Sequence, residues 1–136
     1  MPFVMDASVA LSWCFEDEAS SYADRVQDML ARDVALVPSI WPLEVANALR
    51  TAERRRRLRP AEVMRFTELL HALPIMVDSP LLPRVLGPVL AVARTYHLTC
   101  YDASYVELAV REGMPLATQD KRLQDVCAHA GVSRVP

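Results

Sequence analysis

Glycine is scarce in this chain. Only three of the 136 residues are glycine, and none belongs to a glycine-rich turn of the kind that cradles a nucleotide phosphate. The three cysteines, Cys14, Cys100 and Cys127, are odd in number and widely spaced. They offer neither a disulfide framework nor a paired zinc motif and read as reduced core residues of a cytoplasmic protein. No apolar stretch is long enough to cross a bilayer, so no membrane partner is expected. The N-terminus lacks the basic segment of a secretory signal, and Asp6 interrupts its apolar run. No serine stands in a nucleophile elbow. His71, His97 and His129 are scattered, with His129 near a helix C-terminus, where a cation is favoured.

What is present is a core. Hydrophobic residues make up 52% of the chain, too many for disorder, and the length suits one domain spanning residues 1–136. The net charge of −2 is unevenly spread. Residues 50–59 hold six arginines (Arg50, Arg54, Arg55, Arg56, Arg57 and Arg59) against one acid, Glu53, so this segment carries +5 and the remainder −7. The stripe is either a solvated helix face or a phosphate-binding feature.

Apolar runs at Phe3–Asp6, Val34–Val37, Pro74–Val77 and Leu116–Thr118 read as strands, and Val132–Val135 as a terminal edge strand. They are continuous rather than alternating, as in a parallel sheet covered on both faces. Between them the periodicity predicts helices over Ser8–Phe15, Glu18–Arg32, Ile40–Arg57, from Pro60 onward, Val85–Tyr96, Tyr101–Glu112 and Arg122–His129. Gly87 and Pro88 blur the start of one, and Gly113 and Gly131 close two others. Strands alternating with helical segments imply an α/β fold with right-handed crossovers.

Such a fold delivers four acids to one place. Asp6 ends the first strand and Asp120 follows the fourth, while Glu44 and Asp102 lie near helix starts. In open α/β sheets ligands bind at the carboxyl ends of the strands. Converging carboxylates need a cation between them, and oxygen ligands suit a hard divalent ion, which activates water and neutralises a scissile phosphate. Asp6 and Asp120 equally suit helix N-caps, and a charge at Asp102 suits a helix start. Glu44 sits in a largely apolar stretch, where a buried carboxylate requires a partner. Asn47, on the same helix face, is positioned to hydrogen-bond it or a metal-bound water. Ser8 and Thr118 lie two residues from Asp6 and Asp120, as carboxylate-orienting hydroxyls or as caps. Tyr101 and Tyr105 read as core or rim aromatics, either able to stack on a base.

Four segments together resemble the PIN-domain ribonucleases, and within them the VapC toxins of prokaryotic toxin–antitoxin pairs. They are Met5-Asp6-Ala7-Ser8-Val9, Pro38-Ser39 leading into Leu43-Glu44-Val45-Ala46-Asn47-Ala48-Leu49, Tyr101-Asp102-Ala103-Ser104-Tyr105, and Leu116-Ala117-Thr118-Gln119-Asp120-Lys121-Arg122-Leu123. The likeness covers essentially the whole chain. It implies a five-stranded parallel sheet flanked by helices. It also implies a catalytic Mg²⁺ or Mn²⁺ site of Asp6, Glu44, Asp102 and Asp120, supported by Ser8, Asn47 and Thr118. By the same resemblance the expected activity is endoribonuclease cleavage of structured RNA. The expected partners are a cognate antitoxin plugging the acidic cleft and a second copy forming a homodimer. Arg54, Arg55, Arg56 and Arg57 are candidate RNA contacts. The rival reading is a PIN-like or receiver-like module whose acids hold metal without hydrolysis.

Overall fold

The computed structural model describes residues 1–136. Four short parallel strands form the sheet: β1 (Phe3–Met5), β2 (Ala35–Val37), β3 (Ile75–Val77) and β4 (Leu116–Ala117). Their spatial order is β3-β2-β1-β4, all neighbours pairing parallel. Beside β4 the expected fifth strand is reduced to one parallel bridge, Leu116 with Arg134. Two backbone bonds hold it, Leu116 N–H to Ser133 and Val135 N–H to Leu116. The α/β class and parallel sheet expected from the sequence are thus present, with four strands and a bridge in place of five.

The connections are helical: α1 (Ala7–Leu11) and α2 (Ser21–Met29) after β1, α3 (Trp41–Arg54) and α4 (Pro60–Ala72) after β2, and α8 (Lys121–Ala130) after β4. Between β3 and β4 lie α5 (Leu82–Arg84), α6 (Leu90–Tyr96) and α7 (Cys100–Glu112). The expected helix over Val85–Tyr96 is regular only from Leu90. Val85–Val89 forms a wider π turn with Pro88 inside it, an adjustment that accommodates a residue with no N–H to donate.

Local chemistry sets the other ends. The stretch expected to be helical from Glu18 begins its regular helix at Ser21, because the Ser20 hydroxyl caps it by accepting the Ala23 N–H at 3.0 Å. α3 stops at Arg54 rather than Arg57: Arg56 is left-handed, with φ of 58°, and the Arg57 N–H turns back to Ala52 at 2.8 Å. Arg55, Arg56 and Arg57 therefore form a turn, not a helix face. Gly113 and Gly131 close α7 and α8 in left-handed conformations, as expected.

The core is one cluster in which β1 is wholly buried and α7 contributes Ala103, Tyr105, Val106, Leu108 and Ala109. β3, the open edge, leaves Met76 and Val77 exposed. Among the cysteines, Cys127 is buried and Cys14 partly so, but Cys100 is exposed at the first turn of α7, contrary to its reading as a core residue. Glu107 is the deepest acid of α7. Arg84 reaches it at 2.8 Å and Arg111 at 3.1 Å, and Arg111 also pairs with Asp78 beyond β3 at 2.7 Å. A buried carboxylate is tolerated when its lone pairs are met in this way.

Candidate metal centre

The chain runs outward from β1 to β2 and β3, then returns to the other side of β1 to lay down β4. The order reverses between β1 and β4, and a crevice opens at such a reversal. Asp6 leaves the end of β1 there, and Thr118, Gln119 and Asp120 leave β4. An open cavity of roughly 500 Å³ lies at this point, lined by Asp6, Ala7, Ser8, Leu11, Glu44, Asp102, Gln119 and Asp120. All four acids singled out in the sequence therefore meet in one place.

Each is delivered by a local device. Asp6 is the N-cap of α1 and Asp120 the N-cap of α8, where its Oδ1 accepts the Leu123 N–H at 3.2 Å. The capping role and the cavity role coexist, because a cap engages only one oxygen. Asp6 is 9% exposed, and its Oδ2 accepts hydroxyl hydrogens from Ser8 at 3.0 Å and Thr118 at 2.9 Å. The Thr118 hydroxyl oxygen in turn accepts the Asp120 N–H at 3.0 Å, so one side chain ties the two strand ends together. Asp102 lies in the first turn of α7, whose N-cap Thr99 accepts the Asp102 N–H at 3.1 Å. Glu44 lies in the first turn of α3, started by Pro42, and its Oε1 accepts a hydrogen bond from the Tyr105 hydroxyl.

The electrostatics are those of crowded carboxylates. Burial raises the pKa of Asp6 above the ordinary aspartate value; the Thr118 and Ser8 hydrogen bonds oppose it, and Asp120 adds to it. Burial likewise raises Glu44, against the Tyr105 hydrogen bond and together with Asp6 and Asp102. Asp102 is raised by burial and by its neighbours Asp120 and Asp6, with Arg122 the opposing cation. The Arg122 guanidinium also donates to the His97 carbonyl, which fixes it at the rim between α6 and α8.

The donor chemistry of the cavity, carboxylate oxygen, is that which a hard divalent cation takes. Each acid retains an oxygen with spare capacity. Neither Asp102 oxygen takes a protein hydrogen bond, and Glu44 Oε2 and Asp120 Oδ2 have none. Asp6 Oδ1 receives only a long contact from the Ser8 N–H, at 3.4 Å. No group of three or more His, Cys, Asp or Glu side chains is arranged closely enough to hold an ion by itself; Mg²⁺, which commonly takes one or two carboxylates and keeps several waters, does not require such a group.

The supporting residues divide. Ser8 and Thr118 contact Asp6 directly. Asn47 is exposed on α3, outside the cavity lining and without a side-chain hydrogen bond. The arginines also separate. Arg57 pairs with Asp17 at 3.0 Å and lies over the Phe15 ring, 4.3 Å from its centroid. Arg55 joins Arg57 in a groove with Ser8, Leu11, Ala48 and Thr51, and Ser8 and Leu11 also line the acidic cavity. Arg54 and Arg56 are exposed. Tyr101 is 63% exposed, whereas Tyr105, at 1%, is too buried to stack on a base.

Two features were not assigned to the site from sequence. Gln119 lines the cavity with its amide held at both ends: its oxygen accepts from Ser20 at 2.7 Å and its nitrogen donates to Ser12 at 3.1 Å. The contact of Tyr105 with Glu44 spans 61 residues. No local pattern reveals a pairing of that range.

Comparison with known proteins gives a consistent picture. The family model described as "PIN domain" matches residues 3–128. The chain is 32% identical over 129 residues to Ribonuclease VapC3 of Pyrobaculum aerophilum, covering 92% of this chain and 94% of that protein. Among solved structures it resembles PAE2754 from the same organism, with a TM-score of 0.68, 28% identity and coverage of 93% and 79% of the two chains. It also resembles VapBC2 from Rickettsia felis bound to a promoter DNA fragment, with a TM-score of 0.65, 14% identity and 92% of each chain covered. For FitAcB from Neisseria gonorrhoeae the TM-score is 0.66 at 14% identity, covering 100% of this chain and 97% of that one. At 14% identity the last two speak for the fold.

Proposed function

This chain belongs to the PIN-domain family, and from that membership we propose that it is a Mg²⁺- or Mn²⁺-dependent endoribonuclease, the toxin of a toxin–antitoxin pair. One observation carries the reading: Asp6, Glu44, Asp102 and Asp120 line a single open cavity at the strand-order reversal. Its likeness to a ribonuclease over nearly its whole length supports the choice of RNA as substrate.

The four acids would hold the metal through the oxygens that capping and hydrogen bonding leave spare. When bound, a divalent cation supplies charge neutralisation at the phosphate and an acidified water. The protein's own part is geometric. Thr118 and Ser8 fix the Asp6 carboxylate, and Thr118 sets the spacing between β1 and the start of α8. The Asp102 carboxylate, which accepts no protein hydrogen bond, is available to orient a water. The acidic cavity alone repels RNA, and the adjoining groove with Arg55 offers the compensating charge beside Ser8 and Leu11.

The same acidity favours a basic side chain as inhibitor. The antitoxin assignment draws on the family resemblance and on the likeness to Ribonuclease VapC3. A homodimer draws on the family resemblance and on the exposure of Met76, Val77, Leu81, Leu82 and Leu86 along and after the open β3 edge, since exposed apolar side chains in number mark interfaces. No helix is long and apolar enough to cross a membrane.

Purified protein free of contaminating nuclease should cleave RNA with Mg²⁺ or Mn²⁺ and not with EDTA, and Asp102→Asn should abolish cleavage. Intact RNA under all conditions would favour the non-hydrolytic module instead. Cleavage equal in Asp102→Asn would remove the cavity from the chemistry.

A further inference from the structure

Tyr105 stands one turn after Asp102 on α7, yet its side chain takes a different course. It is 1% exposed, among the largest fully buried residues of the chain. Its hydroxyl donates to Oε1 of Glu44 on α3, one of the acids lining the cavity. Asp6, at the end of β1, lies within electrostatic reach of the same phenol. The phenol thus ties α7, which carries Asp102, to the Glu44 carboxylate of α3. Tyr22, the other largely buried tyrosine, spends its hydroxyl on the Val135 carbonyl at 2.8 Å. Tyr105 spends its hydroxyl on a carboxylate of the cavity.

The choice of donor is informative. A lysine or arginine at this place would neutralise Glu44. A phenol is an uncharged donor near neutral pH and fixes the carboxylate while leaving its charge intact. Glutamate has several freely rotating side-chain bonds, and without a fixed donor it samples alternative rotamers. With Oε1 engaged, Oε2 is the oxygen left for an ion. We propose that Tyr105 is a positioning residue that presets Glu44 as a ligand of the divalent cation. It acts through Glu44 and does not itself touch substrate or metal. The inference rests on the metal-site reading given above.

The test is Mn²⁺ binding measured by electron paramagnetic resonance in wild type, Tyr105→Phe, Glu44→Gln and the double variant. Tyr105→Phe keeps the ring and its packing and removes only the hydroxyl. It should weaken Mn²⁺ binding about tenfold, the scale typical of groups that orient a metal ligand. In the Glu44→Gln background the same change should have no further effect. Unchanged affinity in Tyr105→Phe, or equal weakening in both backgrounds, overturns the positioning role and leaves the metal site standing. A wild type without saturable Mn²⁺ binding overturns the metal site itself, and this inference with it. A second measurement stands should Tyr105→Phe fail to fold. In wild-type protein with carbon-13-labelled tyrosine, the Tyr105 ring resonance should move on Mg²⁺ titration and saturate with binding. A Tyr105 resonance that stays fixed while Mg²⁺ binds overturns the proposal.

Discussion

Asp6, Glu44 and Asp102 share a burden at the residue scale: burial and mutual repulsion raise all three pKa values. A carboxyl group whose folded pKa lies above its unfolded value binds more protons when folded. Stability then falls as pH rises from the ordinary values of 3.8 for the aspartates and 4.5 for Glu44 through the raised folded values. The metal-free protein should therefore melt higher at about pH 5 than near neutrality, the reverse of the usual carboxylate contribution. Excess Mn²⁺ should stabilise chiefly at the neutral end, because protons and metal compete for the same oxygens. Thermal melts in EDTA across this range check the sign. A midpoint that drops steadily on acidification would show that the three acids are not under the strain described.

At the scale of elements, the end of α3 decides what its arginines do. Had the helix run to Arg57, the four side chains Arg54 to Arg57 would have spread around a helix surface. The left-handed turn at Arg56 instead places Arg57 on Asp17 and the Phe15 ring, and Arg55 in the groove beside the cavity. The arginines should therefore separate on mutation. Alanine at Arg54, Arg55 and Arg56 together should weaken RNA binding and flatten its salt dependence with little change in melting. Arg57→Ala should cost about 1 kcal/mol of stability, from an exposed ion pair and a cation–π contact, with a smaller change in salt slope. Equal salt slopes for wild type and the triple variant would return those side chains to a merely solvated role.

Much of this architecture is legible in the sequence. The order of strands and helices was readable because continuous apolar runs, Pro42, Gly113 and Gly131 are local signals. The convergence of Asp6 and Asp120 followed from where strands end. The direction of the Tyr105 side chain did not, since it depends on packing between α3 and α7. The π turn at Pro88, the early end of α3 and the reduction of the last strand to a bridge likewise answer to geometry between neighbours. Asn47 shares the α3 surface with Glu44 in sequence spacing, but only Glu44 reaches the cavity lining.

At the largest scale, two features stand out from the closed core: the exposed apolar side chains between Met76 and Leu86, and the acidic cavity. If these side chains join two copies, Met76→Glu combined with Leu82→Glu should convert a dimer to a monomer in sedimentation without lowering the folded fraction. A wild type that already sediments as a monomer at high concentration would refute the homodimer. The cavity exists because the sheet reverses its order between β1 and β4, which brings together acids far apart in the chain. Whether a cation binds at this meeting place is decided by paired thermal melts of wild type and Asp102→Asn, in EDTA and in excess Mn²⁺. Removing one of several repelling charges should raise the midpoint in EDTA by an amount equivalent to about 1 kcal/mol after screening. It should also shrink the gain from Mn²⁺, because an ion held only by the folded state stabilises by mass action. An Asp102→Asn protein less stable in EDTA, with an undiminished response to Mn²⁺, would mean that Asp102 serves its helix alone and that the acids do not form a shared metal site.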